Sequence, residues 1–437
     1  MKSKHFNLLR ICFLSGLIIS TLFVLDKAFA VEQKAKKEIV DLKEQETKTA
    51  EEIQIEKTEK KIVEEIKEET KETEQEKVQP APTTQESNEI VFGQSLNLDG
   101  SFKLYGNIIK NGILACFNQI NEDGGINGKV LKLVSMDDKG DPKTAESNIK
   151  EMFDQYDIDM FLGNMGTRSL LRVLPLIELG KIAMLFPWGG DEQLRAPGLS
   201  YIINGPSLIE PQIDALTEYI VKNLRLKKIA LFHSDGGFSI ANAQTAKKTL
   251  GKYNITPTIE ISYNRFTMNI MNVDKFKDSP ADAVFDADPK VVMCLATSMP
   301  SAKLIGRFFE YGFYGTLFFG IDSTLFVGDI LKAKGAKFYY TSAVPDPKDP
   351  KLLIVKEYQE ALKKFFPKET FNVLSLSYYI SAKIIVQALK KISGKITKEK
   401  LLAEIEKMKN FDLEGFTVKF NPQNRHAFGE DISIIKG

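Results

Sequence analysis

Cysteine is nearly missing from this chain, with three in 437 residues. Cys12 falls in an apolar opening segment, which leaves Cys116 and Cys294 far apart in sequence. A single disulfide between them stays open in an oxidising compartment, but two buried free thiols are expected. Histidine is as scarce: His5, His233 and His426 are scattered, and no Cys/His cluster has the spacing of a metal site. Beyond the opening segment no apolar run is long enough to span a bilayer. Neither sign of charge dominates, because 59 basic residues face 58 acidic ones. A nucleic-acid partner is therefore not expected. The chain also lacks a nucleophile–base constellation and a glycine-rich loop of the P-loop type, so neither an enzyme nor a cofactor is expected.

What is present begins with an export pattern. Lys2, Lys4 and Arg10 precede the apolar core "ICFLSGLIISTLFVL", and "AFA" at 28–30 has the small-x-small form of a cleavage site. A leader over 1–30 and a periplasmic location are expected; an uncleaved leader would leave the protein tethered to the membrane. Cys12 sits near the start of the apolar core instead of at its end, which argues against lipid attachment. From Val31 to Pro80 about half the residues are charged, too many to bury a core, and the stretch has no glycine and no aromatic residue. Residues 31–88 are expected to form a charged tether, helical or extended, ending in the proline-marked junction "QPAPTTQESN".

From Ile90 onward the pattern alternates. Apolar runs such as "EIVFGQSL", "VLKLVSMDD", "DMFLGNM", "IAMLFPW", "KIALFHSD", "TPTIEISY", "VVMCLAT" and "GTLFFGID" predict strands, and amphipathic stretches between them predict helices. Strands alternating with helices imply parallel sheets covered on both faces. The series is long for one sheet, and "INGPS" at 203–207 and "AVPDPKDP" at 343–350 suit chain crossings between two lobes. The expected architecture is α/β, with two doubly wound parallel-sheet lobes, a hinge and a ligand cleft at the C-terminal strand ends. The expected division gives 89–206 and 344–413 to the first lobe, and 207–343 and 414–437 to the second.

The segment "LYGNIIKNGILACFNQINEDGGINGKVLKLVSMDDKGDPKTA" carries a resemblance. Its order of "YG", "INxxGGINGK" and "DDxxDPxxA" resembles the opening of type I periplasmic binding proteins of the leucine/isoleucine/valine-binding branch. The strand–helix series continues the resemblance to the end of the chain. It implies a non-catalytic solute-binding protein of an ABC importer, which captures an amino acid or related zwitterion between its lobes and delivers it to a membrane permease.

The resemblance also implies site residues. "GNMGTRS" matches the first-lobe carboxylate loop, placing Thr167 as a hydroxyl ligand beside Met165 and Gly166. A helix start would add free N–H groups there, and Thr167 could equally cap that helix. In "FPWGGDEQL", Trp188 stands where a small residue is usual, and Gly190, after Gly189, stands where a hydroxylated ligand residue is usual. Tyr105 matches an aromatic cover over the ligand. In the second lobe Phe238, Thr297 and Asp322 match ligand positions, Asp322 as the acid that pairs with the ligand ammonium. Asp322 could alternatively cap the helix that follows. Arg168 is expected to face solvent. A ligand sensor or a regulator of cell-wall synthesis built on the same fold is the competing function.

Residues 31–88 are expected to be dispensable for binding. A truncated chain beginning at Asn88 should fold and bind its ligand with unchanged affinity in a calorimetric titration. A large loss would overturn the tether assignment.

Overall fold

The protein is seen in a computed structural model. It describes residues 88–100, 102–189, 191–205, 209–235, 237–263, 287–310, 312, 314–331, 337–429 and 431–436. The leader expected over 1–30, the tether up to residue 87 and Gly190 lie outside these residues. Among the described residues no helix is long and apolar enough to cross a membrane.

The first sheet is built from β1 (Glu89–Leu96), β2 (Val130–Asp137), β3 (Met160–Leu162), β4 (Ala183–Leu185) and β5 (Ile202–Ile203). All its pairings are parallel, in the order β2-β1-β3-β4-β5. Helix α1 (Lys103–Glu122) joins β1 to β2, α2 (Pro142–Tyr156) joins β2 to β3, and α3 (Thr167–Arg172) opens the next connection. The "DPKTA" motif starts α2 in an ordinary physical way. Asp141 accepts the Thr144 N–H at 2.8 Å as the N-cap, and Pro142 occupies the first turn, where no N–H is needed.

The chain then enters a second sheet through α4 (Ile209–Glu218) and β6 (Ile229–Ser234). It continues with α5 (Gly237–Gly251), β7 (Ile259–Tyr263), β8 (Val291–Cys294), α6 (Ser298–Glu310), β9 (Leu317–Gly320) and β10 (Phe338–Ser342). The order is β13-β10-β9-β8-β6-β7, and only β13 (Ser433–Lys436) runs antiparallel. Every residue of β6 and β8 is buried, as expected where helices cover both faces of a parallel sheet. The predicted strands are all present; β5, β10 and the strands beyond it were not anticipated.

After β10 the chain returns to the first lobe. Helices α7 (Leu353–Phe365), α8 (Val373–Leu389) and α9 (Lys398–Glu406) precede a hairpin of β11 (Phe411–Leu413) and β12 (Phe416–Val418). Helix α8 is buried almost throughout and crosses α1 so closely that a Cβ on Gly112 would lie 2.5 Å from the Ser375 carbonyl oxygen. Tyr379 donates to Gln119 Oε1 at 2.6 Å across the same contact. The hairpin turns on Glu414 and Gly415, both at positive φ (56° and 88°), as a two-residue hairpin loop requires. The division expected between residues 413 and 414 falls inside this turn and would separate two paired strands.

Both Cys116 and Cys294 are free and buried, and burial pushes each thiol up to about 12. Near Cys116, Lys383 of α8 is buried between two acids, Glu357 Oε2 at 2.7 Å and Glu414 Oε1 at 2.8 Å. Burial, followed by the hydrogen-bonded Glu357, raises Glu414 above the ordinary carboxylate range against the pull of Lys383. Removing the cation would leave two packed carboxylates without a counter-charge. Lys383→Met should lower unfolding stability by about 3–5 kcal/mol in urea titrations at neutral pH. An acid whose folded pKa lies above its unfolded value is held better by the folded state at low pH. The loss should therefore shrink as pH falls through the carboxylate range.

Candidate functional site

In each sheet the strand order reverses once, between β1 and β3 and between β6 and β8. At such a switch point neighbouring connections leave to opposite faces and open a crevice at the C-terminal strand ends. The sequence-predicted residues follow those ends: Tyr105 after β1, Met165, Gly166 and Thr167 after β3, and Trp188 and Gly189 after β4. Phe238 follows β6, Thr297 follows β8 and Asp322 follows β9.

Tyr105 reaches from the first lobe to the second. It is buried in the first turn of α1, and its hydroxyl lies 3.1 Å from Ser298 Oγ and 3.2 Å from the Ser323 carbonyl oxygen, both in the second lobe. Its ring stacks on Trp188 with centroids 5.3 Å apart and planes at 20°, and meets Phe326 edge-on at 5.1 Å. Burial first, with the nearby Asp322 charge adding to it, raises the phenol above its ordinary range, so Tyr105 stays a neutral donor. Ser298 Oγ also contacts the Ser323 carbonyl at 3.1 Å and accepts the Phe326 N–H at 3.2 Å, which fixes the far side.

Trp188 is positioned by backbone pairing across the two loops of the first lobe. Its N–H donates to the Asn164 carbonyl at 2.8 Å, and its carbonyl accepts from Gly166 at 3.0 Å. Met165 is buried beside it, and Gly189 is half-buried. The following loop is held by Arg195, which donates to the carbonyls of Gly189 at 3.0 Å and Asp191 at 2.8 Å and to His426 Nε2 at 3.2 Å. Burial, then the Arg195 charge, push the His426 imidazole down to about 3, which leaves it neutral and able to accept.

Trp188 and Asp322 line one cavity between the lobes, with Leu325, Ser342, Ala343, Val373, Leu374 and Ser377. Its volume is about 20 Å³, room for about one water molecule. An amino acid does not fit this closed arrangement; to hold one here, the lobes would have to part or the aromatic stack to move. The Asp322 carboxylate accepts from Gln212 Nε2 at 3.0 Å, and the Asp322 N–H donates to Gln212 Oε1 at 3.0 Å. The turn of 3₁₀ helix at Asp322–Thr324 has Ile321 at its N-cap and no side-chain cap bond.

Of the remaining predicted residues, Thr167 and Thr297 do not line this cavity. Thr167 is half-buried at the first position of α3, whose N-cap is Gly166. Thr297 is half-buried and hydrogen-bonds the Tyr263 phenol. Arg168 is exposed, as expected. The Phe238 backbone begins α5, but its side chain, like Gly190, lies outside the described residues. Sequence reasoning missed the cavity wall from Ser342, Ala343 and the start of α8. The available signal was Asn372, which caps α8 by accepting the Ser375 N–H at 2.9 Å just ahead of a long apolar run.

A profile of the periplasmic binding protein family matches residues 89–436. Among curated proteins, Leu/Ile/Val-binding protein homolog 3 of Brucella melitensis is 26% identical over 201 residues, 45% of this chain and 54% of that protein. Leu/Ile/Val-binding protein homolog 7 of the same organism is 25% identical over 366 residues, 78% of this chain and 88% of that protein. The chain spans about half the length of the first curated relatives it matches. A possible leucine/isoleucine/valine-binding protein from Rhodopirellula baltica SH 1 has a similar fold, with a TM-score of 0.69 at 22% identity, covering 81% of this chain and 96% of that one.

The stack on Tyr105 makes Trp188 a reporter of cleft geometry, and it is the chain's single tryptophan. Saturating ligand should change its emission intensity or wavelength in a fluorescence titration. Unchanged emission at saturation would place the binding event away from this cavity.

Proposed function

The chain belongs to the periplasmic binding protein family, and on that premise we propose that it is the solute receptor of an ABC importer. The family binds solutes and is not an enzyme family. In this reading the protein works outside the cytoplasm, captures an amino acid (branched-chain or related) by hinge closure of its lobes, and presents it to a membrane permease. The leader pattern at 1–30 supports export, and residues 31–88 would then space the receptor from its point of attachment or release. The Leu/Ile/Val-binding names of two curated relatives support an apolar amino acid.

The observation that carries this reading is the meeting of Asp322 and Trp188 at one interlobe cavity. A carboxylate at a low-dielectric wall suits an ammonium, and the adjoining Trp188, Leu325, Val373 and Leu374 suit an apolar side chain. The ligand carboxylate is assigned to the loop of Met165, Gly166 and Thr167, with Gly189 and Gly190 beside it. Backbone N–H groups must do more of the holding there, because Gly190 offers no hydroxyl. Tyr105 covers the ligand from the first lobe, and Phe238 and Thr297 complete the second-lobe wall. The lobe division follows the sequence expectation except at the hairpin. There we place the third crossing after Phe428, so that β11 and β12 stay together and Arg425 and His426 stay with the first-lobe residues they bond.

A thermal-shift screen against amino acids identifies the best ligand, and calorimetric titration then tests the acid. Asp322→Asn keeps the shape and removes the charge, which typically costs about 2–5 kcal/mol for a desolvated pair. That is a loss of at least about thirtyfold in affinity. Thr167→Ala should cost less, about 0.5–3 kcal/mol, because the backbone donors remain. Near-wild-type affinity in Asp322→Asn would mean that no ammonium sits there, and the amino-acid reading would fall.

A further inference from the structure

Gln212 is wholly buried on α4, yet the bonds it makes are polar and directed at the end of the second sheet. Its Nε2 donates to Asp322 Oδ2 at 3.0 Å, and its Oε1 accepts the Asp322 N–H at 3.0 Å and the Thr341 hydroxyl at 2.6 Å. Burying an amide is unfavourable unless its donors and acceptors are matched, so this placement has a specific partner. The two contacts with Asp322 close a ring through one residue's main chain and carboxylate. They fix the backbone that presents the acid and the rotation of the acid itself. Thr341, one residue before the cavity-lining Ser342, ties the same amide to the cavity wall.

We propose that Gln212 is the positioning residue for Asp322, holding one carboxylate oxygen so that the acid stays aimed at the interlobe cavity and selects ligands that carry a primary ammonium. This rests on the amino-acid reading given above and deepens it. Gln212 touches no ligand in this scheme; its effect on binding passes through the acid. Two phenols on other elements, Tyr105 of α1 and Tyr378 of α8, lie within the field of the Asp322 charge and are raised above their ordinary range by burial first and by that charge second. Neither titrates near neutral pH, so the amide is the partner whose chemistry can be changed selectively.

The test compares leucine with 4-methylpentanoate, the same molecule without its ammonium, by calorimetric titration of the full chain. Wild type should prefer leucine. Gln212→Met preserves volume and removes the bonds, and should lose about tenfold for leucine with no change for 4-methylpentanoate. Gln212→Glu supplies a pH signature that a packing role would not produce. A protonated Glu can donate to Asp322 Oδ2 and accept the Asp322 N–H as the amide does; an ionised one repels the acid. Its preference for leucine should be near wild type in acid and fall as pH rises, while that of wild type stays flat. If wild type shows no preference, the amino-acid reading fails and the proposal with it. If wild type prefers leucine but Gln212→Met keeps the full preference, or weakens both ligands equally, the proposal fails and the reading stands. Should Gln212→Met not fold, a pH-independent preference in Gln212→Glu overturns the proposal by itself.

Discussion

A parallel strand cannot turn back on itself; it must hand the chain to a crossover that returns it to the starting edge. Every such strand therefore releases its connecting loop at one edge of the sheet, and the candidate site depends on that constraint. In the first sheet the edge carries Tyr105, the Met165–Thr167 loop and Trp188; in the second it carries Thr297 and Asp322. Two sheets with these edges turned toward each other place one aromatic wall against one acidic wall. The Tyr105 hydroxyl then closes the gap by reaching Ser298 and Ser323.

That arrangement divides the work between the lobes. The first lobe presents rings and backbone donors, and the second presents a carboxylate whose rotation is already restricted by a buried amide. Preorganisation of this kind lowers the ordering cost when a ligand arrives. Under the proposed function, the Tyr105–Phe326 contact between the lobes and the Tyr105–Trp188 stack within the first compete with the ligand for the walls of this small closed cavity. Affinity then measures the ligand's contacts against those the protein makes with itself.

Much of this was legible in the sequence, for physical reasons that differ by element. Strands such as Ile229–Ser234 are continuous apolar runs because both their faces are covered, and such runs stand out between amphipathic helices. Strand β5 has two residues and leaves no periodic trace, and β13 pairs with β10 only across the return of the chain. Trp188 and Asp322 could be placed at strand ends, and they do share a cavity. The start of α8 could not be placed there, because its nearness to them arises from packing between segments some 50 to 190 residues apart, not from local pattern. Gln212 was invisible for the same reason: a glutamine within an amphipathic helical pattern looks like a surface residue until its partners, Asp322 and Thr341, are seen.

The packing of α8 on α1 also bears on how the chain reaches its final form. Helix α1 follows the first strand, yet the surface it buries is supplied by a helix about 270 residues later, through Gly112 against Ser375 and Tyr379 on Gln119. The second sheet likewise gains its β13 edge only from residues 433–436. A chain synthesised from its N-terminus thus carries an uncovered apolar helix face until synthesis is nearly done. The order of emergence postpones completion of both lobes and leaves that face waiting for a cover made last.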